Sequence, residues 1–309
     1  MQNRAMNLEN LLWIPIVLGA AFAQTLRNAS QRSLIKSAGT LPATFVRFGY
    51  GLPFTVVGLI VLRTASAVPL PDASVSFVLW VAAGAFAQLA ATAFLIGAMS
   101  ARSFVVAVAY SKTELLQIGL LSVLLLAEPL TFAAVVAIVL ATAGVMLLSI
   151  KPGEERGAGI ATWFSPSATL GLASGACFAL SAVGYRGAAL TLGSTPPWMA
   201  GIYALVWAQS MQTIALGAWL LYRDREGLRK VAGEWKISTA AGLMGALASF
   251  GWLTAFAMRS AVDVRIVGLI EIFYSYVLSR QLFREHVHAR EIAGMVLVVA
   301  GIVLIALRG

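Results

Sequence analysis

Two glutamates, Glu114 and Glu271, stand near the middle of long apolar runs in a chain that has only 13 acidic residues. A charged group at the centre of a membrane span costs about 2.5 to 3.5 kcal/mol to insert, so it faces a bundle interior or a water-filled cavity. There a carboxylate binds a cation or an ammonium group, or carries a proton where desolvation lifts such acids into the working range. If both runs are helical, Tyr110 and Gln117 share a face with Glu114, and Tyr274, Ser275 and Leu278 share one with Glu271. The expectation is that two acidic, aromatic-edged faces meet across one central cavity. The structural alternative is that each Glu neutralises a buried base such as Arg47, Lys112, Arg186 or Arg265.

A second polar group lies in the first apolar run, where Gln24, Arg27, Asn28 and Gln31 fall on one helical face. With Arg47 and Arg186 it offers guanidinium donors for a carboxylate or phosphate. Snorkelling from the span ends is the plainer reading for Arg27 and Arg47. Trp207 and Trp252 lie nearer mid-span, where a ring face can meet an organic cation; core or lipid-facing packing is the alternative. Trp80, Trp198 and Trp235 fit interfacial belts instead. Arg259 and Asp263 are four apart and are expected to pair. Gly171 with Gly175, Gly242 with Gly245, and Gly19 with Ala23 give small faces for close helix approach.

Enzymatic signatures are absent from the sequence. His286 and His288 beside Glu285 have no cysteine partner that would make a metal site. No phosphate-binding Gly-rich loop with its Lys-Ser/Thr and no Gly-x-Ser-x-Gly turn occurs. The lone Cys177 sits in an apolar run and reads as packing; Asn28-Ala29-Ser30 is a coincidental sequon. The reading is a non-enzyme with no metal and no cofactor.

The elements that hold these groups follow from composition. The 309 residues are 60% hydrophobic with 11% charged, and mean hydropathy is +0.86. Soluble domains carry about a quarter of their residues charged. A water-soluble enzyme, a disordered chain and a disulfide-stapled domain are therefore poor readings. The net charge of +9 and pI near 10.1 come without a compact basic stripe or nucleic-acid motif. Lys and Arg lie mostly between the apolar runs, as they do at a cytoplasmic membrane surface.

Apolar runs bounded by charge, Pro and Gly predict ten spans near 10-29, 41-62, 76-99, 103-127, 129-149, 167-190, 197-222, 237-258, 262-282 and 289-307. The runs are continuous rather than alternating, which predicts helices and not an outer-membrane barrel. Arg4 and Ala21-Phe22-Ala23 before Gln24 resemble a cleavable signal, but removing that run would leave an odd nine, so the first span is read as uncleaved. Residues 223-236 carry dense charge and are expected to lie flat at one membrane surface as a solvated loop.

A shift of 157 residues lays Arg102, Ser103, Glu114, Ser122, Glu128 and Gly144 on Arg259, Ser260, Glu271, Ser279, Glu285 and Gly301, with 13 identities over 102-148. The chain thus divides into a first five-helix repeat at 1-150, a linker at 151-166 and a second repeat at 167-309. An odd span number per repeat forces the second to enter from the opposite side, the inverted plan of many secondary transporters.

Ala127-Glu128-Pro129-Leu130-Thr131 followed by an apolar helix to Gly144-Val145-Met146-Leu147-Leu148, and Glu285 followed by Gly301-Ile302-Val303-Leu304-Ile305, resemble the repeat signature of the drug/metabolite transporter superfamily, EamA type. The resemblance implies an all-α, ten-helix membrane protein of the bacterial-type inner membrane, working by alternating access of inverted repeats. One departure is that the family commonly has a proline in the fourth and ninth helices about where Glu114 and Glu271 stand. The expected function is secondary active transport of a small organic solute, an amine, amino-acid-like or related metabolite, with protons as a candidate coupling partner. Export of drug-like cations and exchange of anionic metabolites stay open, and a membrane scaffold or lipid-binding protein is the reading from another class. The expected partners are the small-molecule substrate, protons and the lipid bilayer, not nucleic acid, for a monomer or weak homodimer. The loops on the side of the termini hold four basic residues and the opposite loops eleven, which places both termini outside; the resemblance implies termini in the cytoplasm.

Overall fold

The structure is a computed structural model that describes residues 11–100, 111, 113–149, 166–274, 277 and 289–308. Tyr110, Lys112 and Ser275 lie outside the described residues, as do Arg102, Leu278, Glu285, His286 and His288. The described helices are α1 (Trp13–Ala38), α2 (Thr40–Gly49), α3 (Gly51–Ser66), α4 (Val75–Ser100), α5 (Glu114–Leu126), α6 (Phe132–Ser149), α7 (Pro166–Thr191), α8 (Pro197–Arg223), α9 (Arg225–Gly233), α10 (Trp235–Met258), α11 (Ala261–Gly268) and α12 (Ala289–Arg308). The fold is all-helical, with no strand among the described residues. Five described stretches are long and apolar enough to cross a membrane: Thr40–Ser66, Val75–Leu95, Ala168–Thr191, Pro197–Arg223 and Trp235–Met258. Glu114–Leu126, Phe132–Leu148 and Ile292–Leu307 are shorter apolar helices. Phe132, Val75, Ile214 and Leu307 are 70–84% exposed, which water would penalise and lipid does not.

Local chemistry explains where the helices stop. α1 runs past its expected end to Ala38 and is closed by Gly39, whose φ of 88° is open to a residue without Cβ. The Ala127-Glu128-Pro129-Leu130-Thr131 motif is a stop-and-start device. Ala127 is left-handed at φ 53°, and the Glu128 N–H reaches back to the Ser122 carbonyl at 3.2 Å. Pro129 then bars continuation. Thr131 Oγ1 accepts from the Ala134 N–H at 3.3 Å and so caps α6. Asp224 caps α9 by accepting from the Gly227 N–H at 2.9 Å, and Ser260 caps α11 by accepting from the Asp263 N–H.

The span near 41-62 runs as one helical stretch, Thr40–Ser66, in which α2 and α3 meet at Tyr50 with its backbone in the α-helical region. Thr113, ahead of Glu114 at the start of α5, also has α-helical backbone angles. The span near 262-282 differs from the continuous helix expected of it. α11 ends at Gly268, Leu269 and Ile270 form a turn, and helix resumes at Glu271.

The chain forms two compact units, each drawing on sequence from both sides of 151-166. Unit 1 comprises Met1–Leu11, Phe86–Val183 and Ser260–Gly309; unit 2 comprises Leu12–Ala85 and Gly184–Arg259. In unit 1, α6 packs on α12 through glycine: a Cβ on Gly144 would stand 2.6 Å from the Gly294 carbonyl oxygen. Such small residues let helices approach where lipid supplies no hydrophobic drive. In unit 2, α10 packs on α1, where a Cβ on Gly251 would meet Ala20 at 2.8 Å. The amphipathic α9 turns Val231 and Leu228 onto Leu34, Ala38, Ala43, Val46 and Ala241, while Arg225, Glu226, Arg229 and Lys230 stay exposed.

Candidate functional site

Glu114 is the first residue of α5, and Glu271 is the first helical residue after the turn at Leu269 and Ile270. In the ninth run the Leu269, Ile270, Ile272 and Phe273 amides each bond a carbonyl three residues back, a tightened turn in place of the α-helical pattern. Both glutamates line one cavity of about 270 Å³ within unit 1, together with Leu115, Val145, Arg265, Gly268, Leu269 and Ile272.

Arg265 Nη2 donates to Glu114 Oε1 in an ion pair, the arginine side chain 27% exposed and the glutamate 12%. The base expected only as a structural alternative is thus the one that Glu114 meets. Gln117 lies one turn further along α5 and donates from Nε2 to Thr113 Oγ1 at 2.9 Å. Gly175 on α7 gives that end of α5 room, since a Cβ there would stand 3.0 Å from the Ser111 carbonyl oxygen and 3.3 Å from Gln117 Nε2. Tyr274 is partly buried and is not among the residues lining the cavity. Chemically, the cavity joins two carboxylates and a guanidinium to apolar walls, a lining that suits a small solute with a charged or polar head.

The other expected site residues among those described belong to unit 2. Trp252 is buried, donates from Nε1 to Gln24 Oε1 at 3.0 Å and stacks on Phe256. Trp207 packs edge-on to Phe77 and Tyr203. Arg27 is buried at 6% exposure and donates to Asn28 Oδ1 at 2.7 Å. Its Cδ and the Cγ of Arg47 both pass Gly245 of α10, so these two arginines run close together. Arg186 donates instead to the Phe256 carbonyl at 2.8 Å. Arg259 lies over the Trp13 ring. Sequence reasoning missed the buried Thr55–Gln209 hydrogen bond and Gln212, which donates to the Ala85 carbonyl at 3.1 Å. The signal was available in two glutamines three apart within an apolar run.

An all-helical chain with lipid-facing apolar surface, several crossing helices and a charged internal cavity is a multi-pass membrane protein. Residues 165–307 match the EamA-like transporter family, which falls within the drug/metabolite transporter superfamily. A solved crystal structure superposes with a TM-score of 0.68 over 97% of this chain and 98% of the other, at 16% identity, and so shares the fold. No curated protein matches the chain.

Proposed function

We propose that the chain is a secondary active transporter of the inner membrane, built as two inverted five-helix repeats that alternate access to one solute site. The observation that carries this reading is that Glu114 and Glu271, equivalent under the 157-residue repeat, both line one cavity. Transporters of inverted plan hold substrate and coupling ions at the interface of their two repeats. The solute is a small organic molecule with an amine or amino-acid-like head, and the carboxylates bind it or exchange a proton. A second reading, exchange of an anionic metabolite, is favoured by the approach of Arg27 and Arg47 at Gly245.

A thermal-shift screen of amines, amino acids, nucleosides and organic acids on the purified protein separates these readings, because a ligand bound only by the folded state raises the melting temperature. Ammonium-bearing hits whose shift disappears in Glu114→Gln and Glu271→Gln are the expected result. Hits confined to organic acids, lost in Arg27 and Arg47 variants and kept in the glutamate variants, would move the solute site to unit 2.

A further inference from the structure

Three helix ends in unit 2 share one arrangement, an exposed apolar or aromatic side chain beside an exposed base. On α1 these are Ile35 and Lys36, at the end of α8 Tyr222 and Arg223, and at the start of α10 Trp235 and Lys236. The Arg223 guanidinium lies over the Tyr222 ring at 5.5 Å, and the Lys236 ammonium over the Trp235 ring at 5.8 Å. Between α8 and α10, α9 buries Val231 against Leu34, Ala38, Ala43 and Val46, which brings the end of α1 to the same place. Its other side presents Arg225, Arg229 and Lys230 outward. The acids interspersed with these bases are Asp224, Glu226 and Glu234. Asp224 accepts from the Gly227 N–H as the cap of α9, and Glu226 is paired with Lys230.

We propose that this end of unit 2 is a docking surface for the anionic phospholipid headgroups of the leaflet it faces. Depth identifies the source of the anion. Leu221 and Tyr222 on α8, and Trp235 and Ile237 on α10, are exposed apolar and aromatic side chains of the kind that the bilayer and its interface cover, so the adjoining bases stand at headgroup level. Charge identifies the lipid. Bases held near an anionic leaflet are each attracted to it, whereas a zwitterionic headgroup carries no net charge to attract them. The apolar side of α9 is taken up by unit 2, so its outward face acts through charge and not by inserting into the acyl region. Bases spread over α1, α8, α9 and α10 suit several headgroups of a surface better than one phosphate held in a fork. The surface is independent of the glutamate cavity, which lies in unit 1.

Thermal unfolding of the full chain in a neutral detergent, with dioleoylphosphatidylglycerol or dioleoylphosphatidylcholine titrated into the micelles, tests this, because a lipid bound by the folded state raises the melting temperature. Phosphatidylglycerol is expected to give the larger rise, and ~0.5 M salt to remove the difference. Arg225→Gln, Arg229→Gln and Lys236→Gln combined are expected to weaken the apparent affinity for phosphatidylglycerol about tenfold or more. Arg225→Lys with Arg229→Lys keeps the charge and is expected to keep the affinity. Arg63→Gln, at the opposite end of the Thr40–Ser66 stretch, is expected to leave it unchanged. If the triple variant does not elute as a monodisperse species, Lys36→Gln with Lys236→Gln carries the test through a several-fold loss. Equal rises from the two lipids, or a phosphatidylglycerol preference that survives these variants, overturn the lipid surface. An equal rise from inorganic phosphate at the same concentration would make it a soluble-anion site and overturns it as well.

Discussion

Arg265 and Glu114 meet across 151 residues of sequence, one on a short helical segment of the ninth run and the other at the start of α5. Both side chains are largely withdrawn from solvent. Breaking such a pair on one side leaves an uncompensated charge, at a cost of about 3 to 5 kcal/mol, while replacing both partners by neutral groups is far milder. The expectation for thermal unfolding in detergent is that Glu114→Gln and Arg265→Gln each lower the melting temperature, and that the double variant recovers part of the loss. A double variant as unstable as the two single losses added together would mean the pair has no coupling.

Glycine packing between α6 and α12 is tight enough to predict a loss. A Cβ on Gly144 would meet the Gly294 carbonyl oxygen at 2.6 Å and Val298 at 2.9 Å, so backbone must move to admit it. Gly144→Ala is expected to destabilise by about 1 to 3 kcal/mol. Gly19 has nothing within 4 Å of the same construction, and Gly19→Ala in mid-α1 is expected to be neutral or stabilising by up to about 1 kcal/mol. Melting curves of the two variants check the contrast.

Glu226 and Lys230 form an exposed pair on α9 at 2.8 Å. The hydrogen bond and charge of Lys230 hold the Glu226 carboxyl below its ordinary range, and Glu226 raises the Lys230 ammonium above its own. A depressed acid contributes above its unfolded pKa and loses that contribution as pH falls through its folded value; a raised base loses its contribution only as pH climbs through its folded value. The pair's effect is therefore flat across neutral pH and fades in acid and in strong alkali. Solvent screening keeps it small. Melting temperatures of wild type and Glu226→Gln should differ little at pH 7, and should converge in acid and in high salt.

Residues 223-236, helical over α9, hold five of the eleven basic residues expected on the side opposite the termini. Arg223, Arg225, Arg229 and Lys236 are exposed there, Arg223 lying over Tyr222 and Lys236 over Trp235, an arrangement suited to an interface. Reporter fusions in this loop and at Gly309 are expected to place the loop in the cytoplasm and the carboxyl terminus outside. A cytoplasmic signal from Gly309 would refute that orientation.

Continuous apolar runs showed the helices in the sequence because lipid and core burial both demand uninterrupted apolar residues. The glutamates stood out because charge is scarce in those runs. The turn beside Glu271 was not legible: Leu269 and Ile270 carry no proline, and the lone Gly268 before them is a weak signal inside an apolar run. The Arg265–Glu114 pairing was one option among four bases, since spacing along one helix says nothing of which neighbour lies across a gap. At Tyr50, between Gly49 and Gly51, the second run is approached closely by α10, where a Cβ on Gly242 would stand 2.6 Å from the Tyr50 Cβ.

Solute flux into vesicles with and without an imposed pH gradient, for wild type, Glu114→Gln and Glu271→Gln, tests the paired-glutamate cavity most directly. With a solute found by thermal shift, the wild type is expected to accelerate under the gradient. Both variants are expected to lose that acceleration and to fall by roughly tenfold or more, equivalent to about 1.4 kcal/mol of lost interaction. Variants that carry the solute at the wild-type rate, gradient or not, would contradict the account.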